Sequence, residues 1–580
     1  MANKTPNYDA KIKTILDGLE PGERVCALTG EKWIMDEEEI GWYKKFNVPP
    51  SKISPNTRWK LLSYYDSAFQ FWWNKHFDTG EPILSFHHPG SGIRVLPDKE
   101  WHDRDFSHIN IDYDSSRPFF EQMRELEVRV PFQATNHAAL TENSISINSL
   151  GDTNSYFVFG CRSKNTFHST VGVDVEDCSL LYGVEKANNC HYVLHSQRLH
   201  NCRYIRESYD CIDCAFLFDC RNCKNCFGAV NKRNKEFLFF NEQLSEDEYK
   251  KRISEIDLGK RSVVEQYSER FEDLIKKEAI WPTAFNEKTT NSTGDYLTGS
   301  VNCSQCFYSE GDALNNYRCA WYFGKTEGNA VFWSNVDANF SYFCGDTYFS
   351  NNIKFCARCI GLDDCEYCIT CHNCQNCFGC AGLKRKQFCI FNKQYSEEEY
   401  WEKVDQIKSQ MLERGEYGQF FPAIFSGTYV PESGPILYCG ATAEQVKQIG
   451  GNEFDVNAFG ATSKTEVDPD QVRYRNLIPD SIDDLDDSWV GVPIMDEVAN
   501  RTFAFLKPEL EHYRRLRIAP PTTHFIRRLH EVSFTGQMAA LEDRACAECE
   551  QEVMTSYSMH YPDRKVYCRE CYLNYLEQYG

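Results

Sequence analysis

Several features that would assign a function class are missing from this sequence. No stretch of eighteen or more apolar residues occurs, which excludes an ordinary transmembrane helix. The N-terminal segment MANKTPNYDAKIKT has no apolar run after its basic residues, so we expect a soluble, cytoplasmic protein. There is no Gly-rich phosphate loop, His-Glu zinc-hydrolase motif or serine-nucleophile elbow. These absences weigh against an enzyme.

Positive charge is also in deficit. The chain has 63 Lys and Arg against 85 Asp and Glu, a net charge of −22, which opposes non-specific binding to nucleic acid or anionic membrane. Histidine is sparse, with 15 residues, and the adjacent pair His87-His88 predicts a surface loop rather than a metal site. The 580 residues are too many for one core and predict about three to five domains.

Cysteine, in contrast, is abundant, with 28 residues. Near the C-terminus they form the pattern C-x2-C-x18-C-x2-C, made by Cys546, Cys549, Cys568 and Cys571. Two such pairs supply the four thiolates that a tetrahedral Zn²⁺ ion requires. The second pair opens the helical sequence CYLNYLEQY, whose N-terminal dipole favours thiolate. The sequence therefore predicts one structural zinc ion in a zinc-ribbon or treble-clef module.

An internal duplication organises the middle of the chain. The segment at 220–249 matches the segment at 371–400 without a gap, with 16 of 30 positions identical. Within each copy, cysteines recur every twelve residues: Cys178, Cys190, Cys202, Cys214 and Cys226 in the first, and Cys344, Cys356, Cys368 and Cys380 in the second. This period predicts a β-solenoid with one coil per twelve residues and a narrow interior.

The two copies indicate which of these cysteines could bind metal. The four named cysteines of the second copy correspond to Val193, Ile205, Leu217 and Ala229, so most are interpreted as small apolar core residues. Both copies keep cysteine at four positions: Cys214, Cys220, Cys223 and Cys226, matched by Cys365, Cys371, Cys374 and Cys377. For these eight, packing and a thiolate metal site remain open alternatives.

A helix is predicted after each solenoid. Ser245 with Glu248, and Ser396 with Glu399, have the spacing of capping boxes before amphipathic sequences. These helices are expected to cap the open ends of the stacks.

The two ends of the chain are also similar. EEIGWYKKFNVPPSK at 38–52 resembles PELEHYRRLRIAPPTTH at 508–524, and His76 and Thr79 correspond to Cys546 and Cys549. The N-terminal module is therefore predicted to be metal-free. Each end also carries a basic strip, at 43–60 and 513–528, that could hold a phosphate backbone or pair with acids such as Asp483 and Asp487.

The chain resembles a large uncharacterised family of Cys-rich repeat proteins of candidate-phyla (CPR/Patescibacteria) bacteria, some of them labelled CaiB/BaiF. The resemblance is carried nearly end to end by CALTGEKW, EIGWYKKFNVP, RPFFEQMRELEVRVP, the NCKNCFG-like cores, FNKQYSEEEY, IPDSIDDLDDS and the terminal C-x2-C pairs. In that family the N-terminal module usually carries cysteine pairs as well, from which this sequence departs. The resemblance implies no established activity, and no nucleophilic carboxylate in a recognisable setting supports a CoA transferase.

Together these observations predict a mostly β chain with helices, in six segments. They are a metal-free ribbon-like module (1–135), a first solenoid (140–244), a capping helix and connector (245–285), a second solenoid (286–395), a capping helix and linker (396–480) and a zinc-binding α+β module (481–580). The leading hypothesis is a zinc-binding scaffold with a protein partner and no membrane association. The alternatives are an RNA-associated protein that uses the basic strips and a metal-cluster or redox protein.

Overall fold

The computed structural model describes residues 4–66, 68–456, 458–463 and 468–580. Residues 1–3, 67, 457 and 464–467, which fall in the predicted N-terminal module and linker, lie outside the described residues. Helices account for 28% and strands for 31%, so the fold is mixed α/β with many strands. No helix in the described part of the chain combines the length and apolar character needed to cross a membrane.

The chain divides into two compact units, and each unit combines two separate segments. Unit 1 contains Met1–Ala134 and Asn286–Ala461, and unit 2 contains Thr135–Phe285 and Thr462–Gly580. Each unit thus joins one Cys-rich repeat with one end of the chain.

The N-terminal segment of unit 1 alternates short hairpins and helices. Its elements are α1 (Pro6–Asp17), β1 (Gly22–Val25), β2 (Lys32–Met35), α2 (Glu37–Phe46), α3 (Pro55–Ser63), β3 (Trp72–Lys75), β4 (Pro82–Ser85), β5 (Val95–Leu96), α4 (Asp98–Asp103), α5 (Phe119–Arg129) and β6 (Phe132–Gln133). Trp59 and Trp72 lie in its core. The prediction that His87 and His88 lie on the surface is wrong, because both rings are fully buried.

Unit 2 begins with a set of parallel strands, here called the first stack. These are β7 (Ile145–Ile147), β8 (Tyr156–Phe159), β9 (Arg162–Lys164), β10 (Phe167–Glu176), β11 (Ser179–Asn188), β12 (His191–His200), β13 (Arg203–Arg206), β14 (Ala215–Phe218), β15 (Phe227–Val230), β16 (Leu238–Phe239) and the antiparallel β17 (Glu242–Gln243). Next come α6 (Glu246–Ser254), α7 (Arg261–Glu278) and β18 (Ile280–Pro282).

Unit 1 contains the matching second stack. Its strands are β19 (Gly294–Val301), β20 (Cys306–Leu314), β21 (Tyr317–Phe323), β22 (Thr326–Glu327), β23 (Ala330–Val336), β24 (Tyr342–Tyr348), β25 (Ala357–Ile360), β26 (Gln375–Phe378), β27 (Gln387–Ile390) and the antiparallel β28 (Lys393–Gln394). The helices α8 (Glu397–Glu413), α9 (Gly434–Cys439) and α10 (Ala443–Gln448) complete the unit. The predicted capping box at Ser396 is confirmed, whereas Ser245 accepts only the Glu248 N–H.

The C-terminal segment of unit 2 repeats the hairpin-and-helix pattern of the N-terminal segment. Its elements are β29 (Arg473–Tyr474), β30 (Ile494–Asp496), β31 (Arg501–Phe503), α11 (Lys507–Leu516), α12 (Phe525–Phe534), β32 (Leu541–Ala545), β33 (Glu552–Ser556), β34 (Lys565–Tyr567) and α13 (Arg569–Tyr579).

Pairing follows the predicted twelve-residue period from β10 to β16 and from β23 to β27, whereas the offset is eleven residues between β8 and β10 and thirteen between β21 and β23. Ser179 pairs with His191 and His191 with Arg203 in the first stack, and Cys377 pairs with Cys389 in the second. A shorter period lies inside it: every third residue from Asn189 to Phe237, and from Asp337 to Phe391, has positive φ. Asn and Asp occupy many of these positions because they tolerate the left-handed conformation.

The residue after each left-handed position fills the interior. In the first stack this set includes Cys190, Val193, Ser196, Leu199, Cys202, Ile205 and Ser208, all at most 3% exposed. The Cys202 thiol lies 3.3 Å from the His200 carbonyl oxygen of its own turn and 3.4 Å from the Cys211 carbonyl oxygen of the next, so its single S–H has two weak acceptors within reach. Burial raises the pKa of Cys202 well above its ordinary value, which keeps the thiol protonated.

A buried carboxyl group makes unit 1 sensitive to pH. Burial raises the pKa of Glu127 to about 7, although Arg124 and Arg358 oppose the shift. The folded state therefore keeps a proton that the unfolded state loses above pH ~4.3, so stability decreases as pH rises through 7.

We expect Glu127 to reduce the free energy of unfolding by up to about 3 kcal/mol between pH 5 and pH 8. Urea unfolding at a series of pH values measures this slope. Glu127→Gln should flatten it, and the exposed Glu121→Gln on the same helix should leave it unchanged. An equal slope in wild type and Glu127→Gln would contradict the assignment.

Candidate metal centre

The four predicted cysteines converge at the end of the β32–β33 hairpin. Cys546 follows β32, and the turn is closed by a 2.8 Å hydrogen bond from its N–H to the Gln551 carbonyl. Cys549 lies in the same turn. Cys568 is the N-cap of α13 and Cys571 lies in its first turn, so the second pair points from a helix N-terminus. The hairpin turn and the helix N-terminus thus supply two sulfurs each. This pairing of a hairpin turn with a helix N-terminus is here called a knuckle.

The spacing of the sulfurs fits a tetrahedral metal ion. All four Sγ atoms lie within 4.8 Å of one another, and those of Cys549 and Cys568 are 3.8 Å apart. A metal with bonds of about 2.3 Å to four sulfurs places them about 3.8 Å apart. The group could therefore hold a metal ion. Within the described ranges, no other three His, Cys, Asp or Glu side chains bring their ligand atoms this close together.

Backbone amides prepare Cys546 for the thiolate form. Burial alone would raise its pKa, but N–H donors of Cys568, Cys549 and Glu548 lower it to about 6. The Cys568 N–H lies 3.2 Å from the Cys546 sulfur. Cys546 is nearly buried, whereas Cys549 is exposed, so one side of the site faces solvent.

The helix that carries the second pair is anchored within unit 2. Tyr572, next to Cys571, donates from its hydroxyl to Asp219 of the first stack. Arg233 donates to the same carboxylate at 3.0 Å. In addition, β34 pairs in parallel with β18. The first stack therefore supports α13 through Asp219, and β18, which follows α7, supports the preceding strand β34.

The same knuckle occurs at His76, the position predicted to correspond to Cys546. The His76 N–H bonds the Glu81 carbonyl at 2.9 Å, and the Phe77 N–H bonds Val95 as the Ala547 N–H bonds Val566, both at 2.8 Å. The imidazole Nδ1 accepts the N–H groups of Asp78 and Thr79, so Nε2 carries the proton and lies 3.1 Å from Glu100.

Glu100 and Pro97 occupy the helix positions that correspond to Cys571 and Cys568. Glu100 and Cys571 are the third residues of their helices, and Pro97 and Cys568 are the N-caps. Arg104 adds ion pairs to Asp78 and Glu100. A hydrogen-bonded ionic network thus bridges hairpin and helix where the C-terminal knuckle offers four sulfurs.

A third knuckle, which sequence comparison missed, lies at Cys26. Its N–H bonds the Glu31 carbonyl at 2.8 Å, and Ala27 bonds Lys52 at 2.9 Å, as in the other two knuckles. The equivalents of the remaining ligands are hydroxyl residues: Thr29, Ser54 and Thr57. The Ser54 and Thr57 hydroxyls lie 2.9 Å apart, and Thr57 lies 3.5 Å from the Cys26 sulfur. Hydroxyl hydrogen bonds fill this knuckle.

A fourth knuckle, also missed, lies between β30 and β31. Asp496 takes the place of Cys546 and accepts the His524 N–H at 2.9 Å, as Cys546 accepts the Cys568 N–H. Arg527, at the third residue of α12, donates to Asp496 at 2.8 Å. An ion pair replaces the metal ligands here. Both hairpin turns contain a left-handed residue, Asn500 here and Glu550 in the metal knuckle, which the structure shows and the sequence does not indicate.

This equivalence predicts that cysteine substitution will create a second metal site. The variant His76→Cys/Thr79→Cys/Pro97→Cys/Glu100→Cys should bind one metal ion more per chain than wild type, because four thiolates then occupy equivalent positions. Inductively coupled plasma mass spectrometry measures the stoichiometry. The partial variant His76→Cys/Thr79→Cys serves as control and should gain none. A folded four-cysteine variant with unchanged metal content would disprove the equivalence.

The eight cysteines shared by both repeats lie in the stack interiors. Cys214, Cys220, Cys223, Cys226, Cys365, Cys371, Cys374 and Cys377 are at most 3% exposed. Their sulfurs contact backbone carbonyls, as at Cys365, which lies 3.3 Å from the Asp363 oxygen and 3.5 Å from that of Cys374. In the described ranges no three of them meet as the C-terminal cysteines do. These contacts are those of packed thiols.

The arginines of the basic strips are paired with acids or buried, whereas Lys44, Lys45 and Lys52 of the first strip are exposed. Arg514 bonds Asp487, and Arg517 bonds Asp257 and Asp483. Arg58 is fully buried against Glu39 in the first strip. Little of the positive charge of these arginines is therefore left for a phosphate backbone.

Comparison with known proteins adds little. No family model and no curated protein matches this sequence. Among solved structures, a "putative acetyltransferase from Desulfovibrio desulfuricans G20" aligns at 7% identity over 48% of this chain and 81% of that chain, with a TM-score of 0.10. A similarity this weak supports no statement about fold or activity.

Proposed function

We propose that this protein is a cytoplasmic zinc-binding scaffold that presents two Cys-rich β-solenoids to a protein partner. The observation that carries the proposal is the use of the cysteines. In the stacks the thiols are buried in the interior, while the residues on the outside repeat with the same period. The chemically reactive residues thus serve packing, and the repeated surface is left for recognition. Membership of the family of Cys-rich repeat proteins that the sequence resembles is part of this proposal.

The β-solenoid is supported by the two periods of the stacks. A twelve-residue parallel register stacks equal positions on each other, and left-handed residues at every third position give four bends per twelve residues. We propose that each coil has four short sides. Small inward residues such as Cys, Ser and Ala suit so narrow an interior.

Zinc is supported by the chemistry of the ligands. Four thiolates in a tetrahedral arrangement are the usual ligands of structural Zn²⁺, and a closed shell of four protein ligands leaves no position for a substrate. Once bound, the ion would link the hairpin to α13. We assign it a structural role.

A row of charged residues of both signs on the first stack is the surface we propose for recognition. It contains Arg162, Asp174, Lys186, Arg198 and Asp210, all exposed and spaced twelve residues apart. Arg162 pairs with Asp174 at 2.7 Å and Arg198 with Asp210 at 2.6 Å. Such a row fixes the register of a partner more than it adds affinity.

The test compares two versions of the full-length protein as bait in an extract of its own organism. Wild type should retain a partner at a fixed ratio, and Arg198→Asp/Asp210→Arg, which keeps the ion pair and the net charge, should bind the purified partner at least tenfold more weakly. Equal binding by both would reject this surface. Substrate turnover that is lost in Cys371→Ala would reject the scaffold in favour of an enzyme.

A further inference from the structure

A cavity of about 410 Å³ in unit 2 lies between the start of the first stack and α11. Amide side chains from successive turns of the stack form one wall, and Pro508, Glu511, His512 and Arg515 of α11 form the other. None of these residues belongs to the metal centre. The cavity therefore has a polar row facing a charged helix.

The amide row is a continuous hydrogen-bonded ladder. Asn143 donates to Asn154 at 2.8 Å, Asn154 to Asn165 at 3.5 Å, and Asn165 to Asp177 at 3.2 Å. Asn154 and Asn165 each use one N–H and one oxygen lone pair in these contacts, Asn143 uses one N–H, and each amide has two of each. One donor and one acceptor per turn therefore remain for a ligand, at the strand repeat of roughly 4.8 Å.

An aromatic surface lies beside the ladder. The ring of Tyr156 stacks on that of Phe167, with centroids 5.6 Å apart and planes at 14°. Phe167 is buried, with the His512 ring 5.0 Å away, whereas Tyr156 is half-buried. Tyr156 is thus the aromatic ring that a ligand in this cavity would meet.

The helix wall carries almost no net positive charge. Arg515 is held by Asp177 at 2.8 Å and by Asn189 at 3.1 Å, and Glu511 adds a carboxylate. A nucleic acid needs a surplus of cations, and an apolar side chain would leave the amides without partners. The cavity therefore favours a neutral ligand rich in hydroxyl groups.

We propose that this cavity binds a neutral oligosaccharide. Sugar hydroxyls both donate and accept, which matches the paired groups that each Asn leaves, and the C–H face of a sugar ring packs on an aromatic ring. The repeat of the ladder is close to the length of one sugar unit in an extended chain. Arg515 and Glu511 would bond hydroxyls from the opposite wall.

Unit 1 has an equivalent place that shares the amide ladder but lacks the aromatic ring and the charged pair of the helix wall. It therefore supplies a matched control. Asn291, Asn302 and Asn315 form the same ladder there, with hydrogen bonds of 2.9 and 3.3 Å. α2 and α11 end in left-handed residues of the same φ and ψ, Asn47 and Arg517, which align the two helices.

The alignment places three different residues opposite the cavity groups. Ser304 corresponds to Tyr156, Gly41 to Glu511, and Lys45 to Arg515. Lys45 bonds the Gly328 carbonyl at 3.3 Å. Exchanging the three unit 2 residues for their unit 1 counterparts should therefore remove ligand groups while keeping side chains that this framework accepts.

Isothermal titration of the full-length protein with cellohexaose, maltohexaose, xylohexaose and hexa-N-acetylchitohexaose tests the proposal. At least one should bind with a Kd of roughly 1 mM or tighter. Tyr156→Ser/Glu511→Gly/Arg515→Lys should weaken that binding at least tenfold. Asn222→Ala, in a different amide ladder of the same stack, should leave it unchanged.

The proposal is overturned if no saccharide of the panel binds, or if the triple variant binds as tightly as wild type. Binding of an RNA decamer or an unstructured peptide that is lost in the triple variant would also overturn the ligand class. Circular dichroism and metal content must remain unchanged in the variants. The proposal depends on the cavity alone, so its failure would leave the metal centre and the scaffold proposal unaffected.

Discussion

Cys568→Ser is expected to unfold the C-terminal knuckle of unit 2. Cys568 is both a candidate ligand and the N-cap of α13, and a metal ion held by the four sulfurs would join the hairpin to the helix. Structural zinc contributes roughly 10–16 kcal/mol to folding in zinc-finger peptides. Losing one thiolate should therefore release the hairpin at 541–556 and α13 even though Tyr572 still reaches Asp219.

Hydrogen exchange monitored by mass spectrometry measures this effect. Residues 541–580 should exchange within seconds to minutes in Cys568→Ser, and in wild type treated with a chelator, while the first stack keeps its protection. Cys26→Ser is the matched control, because that knuckle is already filled by hydroxyls. Protection of 541–580 that persists without metal would show that packing alone holds the knuckle.

Cys368→Asp is expected to unfold the second stack, whereas Cys368→Ser should cost only about 1 kcal/mol. The Cys368 sulfur is fully buried and lies 3.7 and 3.6 Å from the carbonyl oxygens of Glu366 and Cys377. A serine hydroxyl keeps the donor, as Ser208 shows by bonding the Arg206 carbonyl at 2.9 Å in the first stack. A carboxylate would face two carbonyl oxygens without solvent, at a cost of several kcal/mol.

Chemical denaturation and circular dichroism distinguish a packed Cys368 from a Cys368 that binds metal. If Cys368 bound metal, serine would remove the ion and destabilise the protein strongly, and aspartate could retain a hard ion. The comparison therefore separates packing from coordination. A Cys368→Ser variant that loses both metal and structure would contradict the packing interpretation.

The repeat could be recognised in the sequence because many of its buried positions carry cysteine, an uncommon residue. Cysteine at twelve-residue spacing predicted the parallel register seen between Cys377 and Cys389. The three-residue period within it was not predicted, because Tyr192 and Phe216 adopt positive φ as readily here as Asn189 does. Aromatic residues give no sequence signal for a left-handed backbone, which tertiary packing imposes on them.

The candidate site was likewise predicted only in part. Cys546, Cys549, Cys568 and Cys571 were identified from spacing alone because four thiols at that spacing serve one chemistry. The knuckles at Cys26 and Asp496 were missed, since hydroxyls and an Asp–Arg pair replace the ligands and remove the pattern. The grouping of each repeat with one end of the chain was also not predictable, because no sequence signal records which distant segments pack together.

Metal analysis of the purified protein tests the central claim most directly. The account predicts a colourless protein that contains one zinc ion per chain, which Cys546→Ser removes and Cys371→Ser leaves in place. A content of about three metal ions per chain, or a coloured sample with iron and sulfide, would contradict it, because the repeat cysteines would then be ligands.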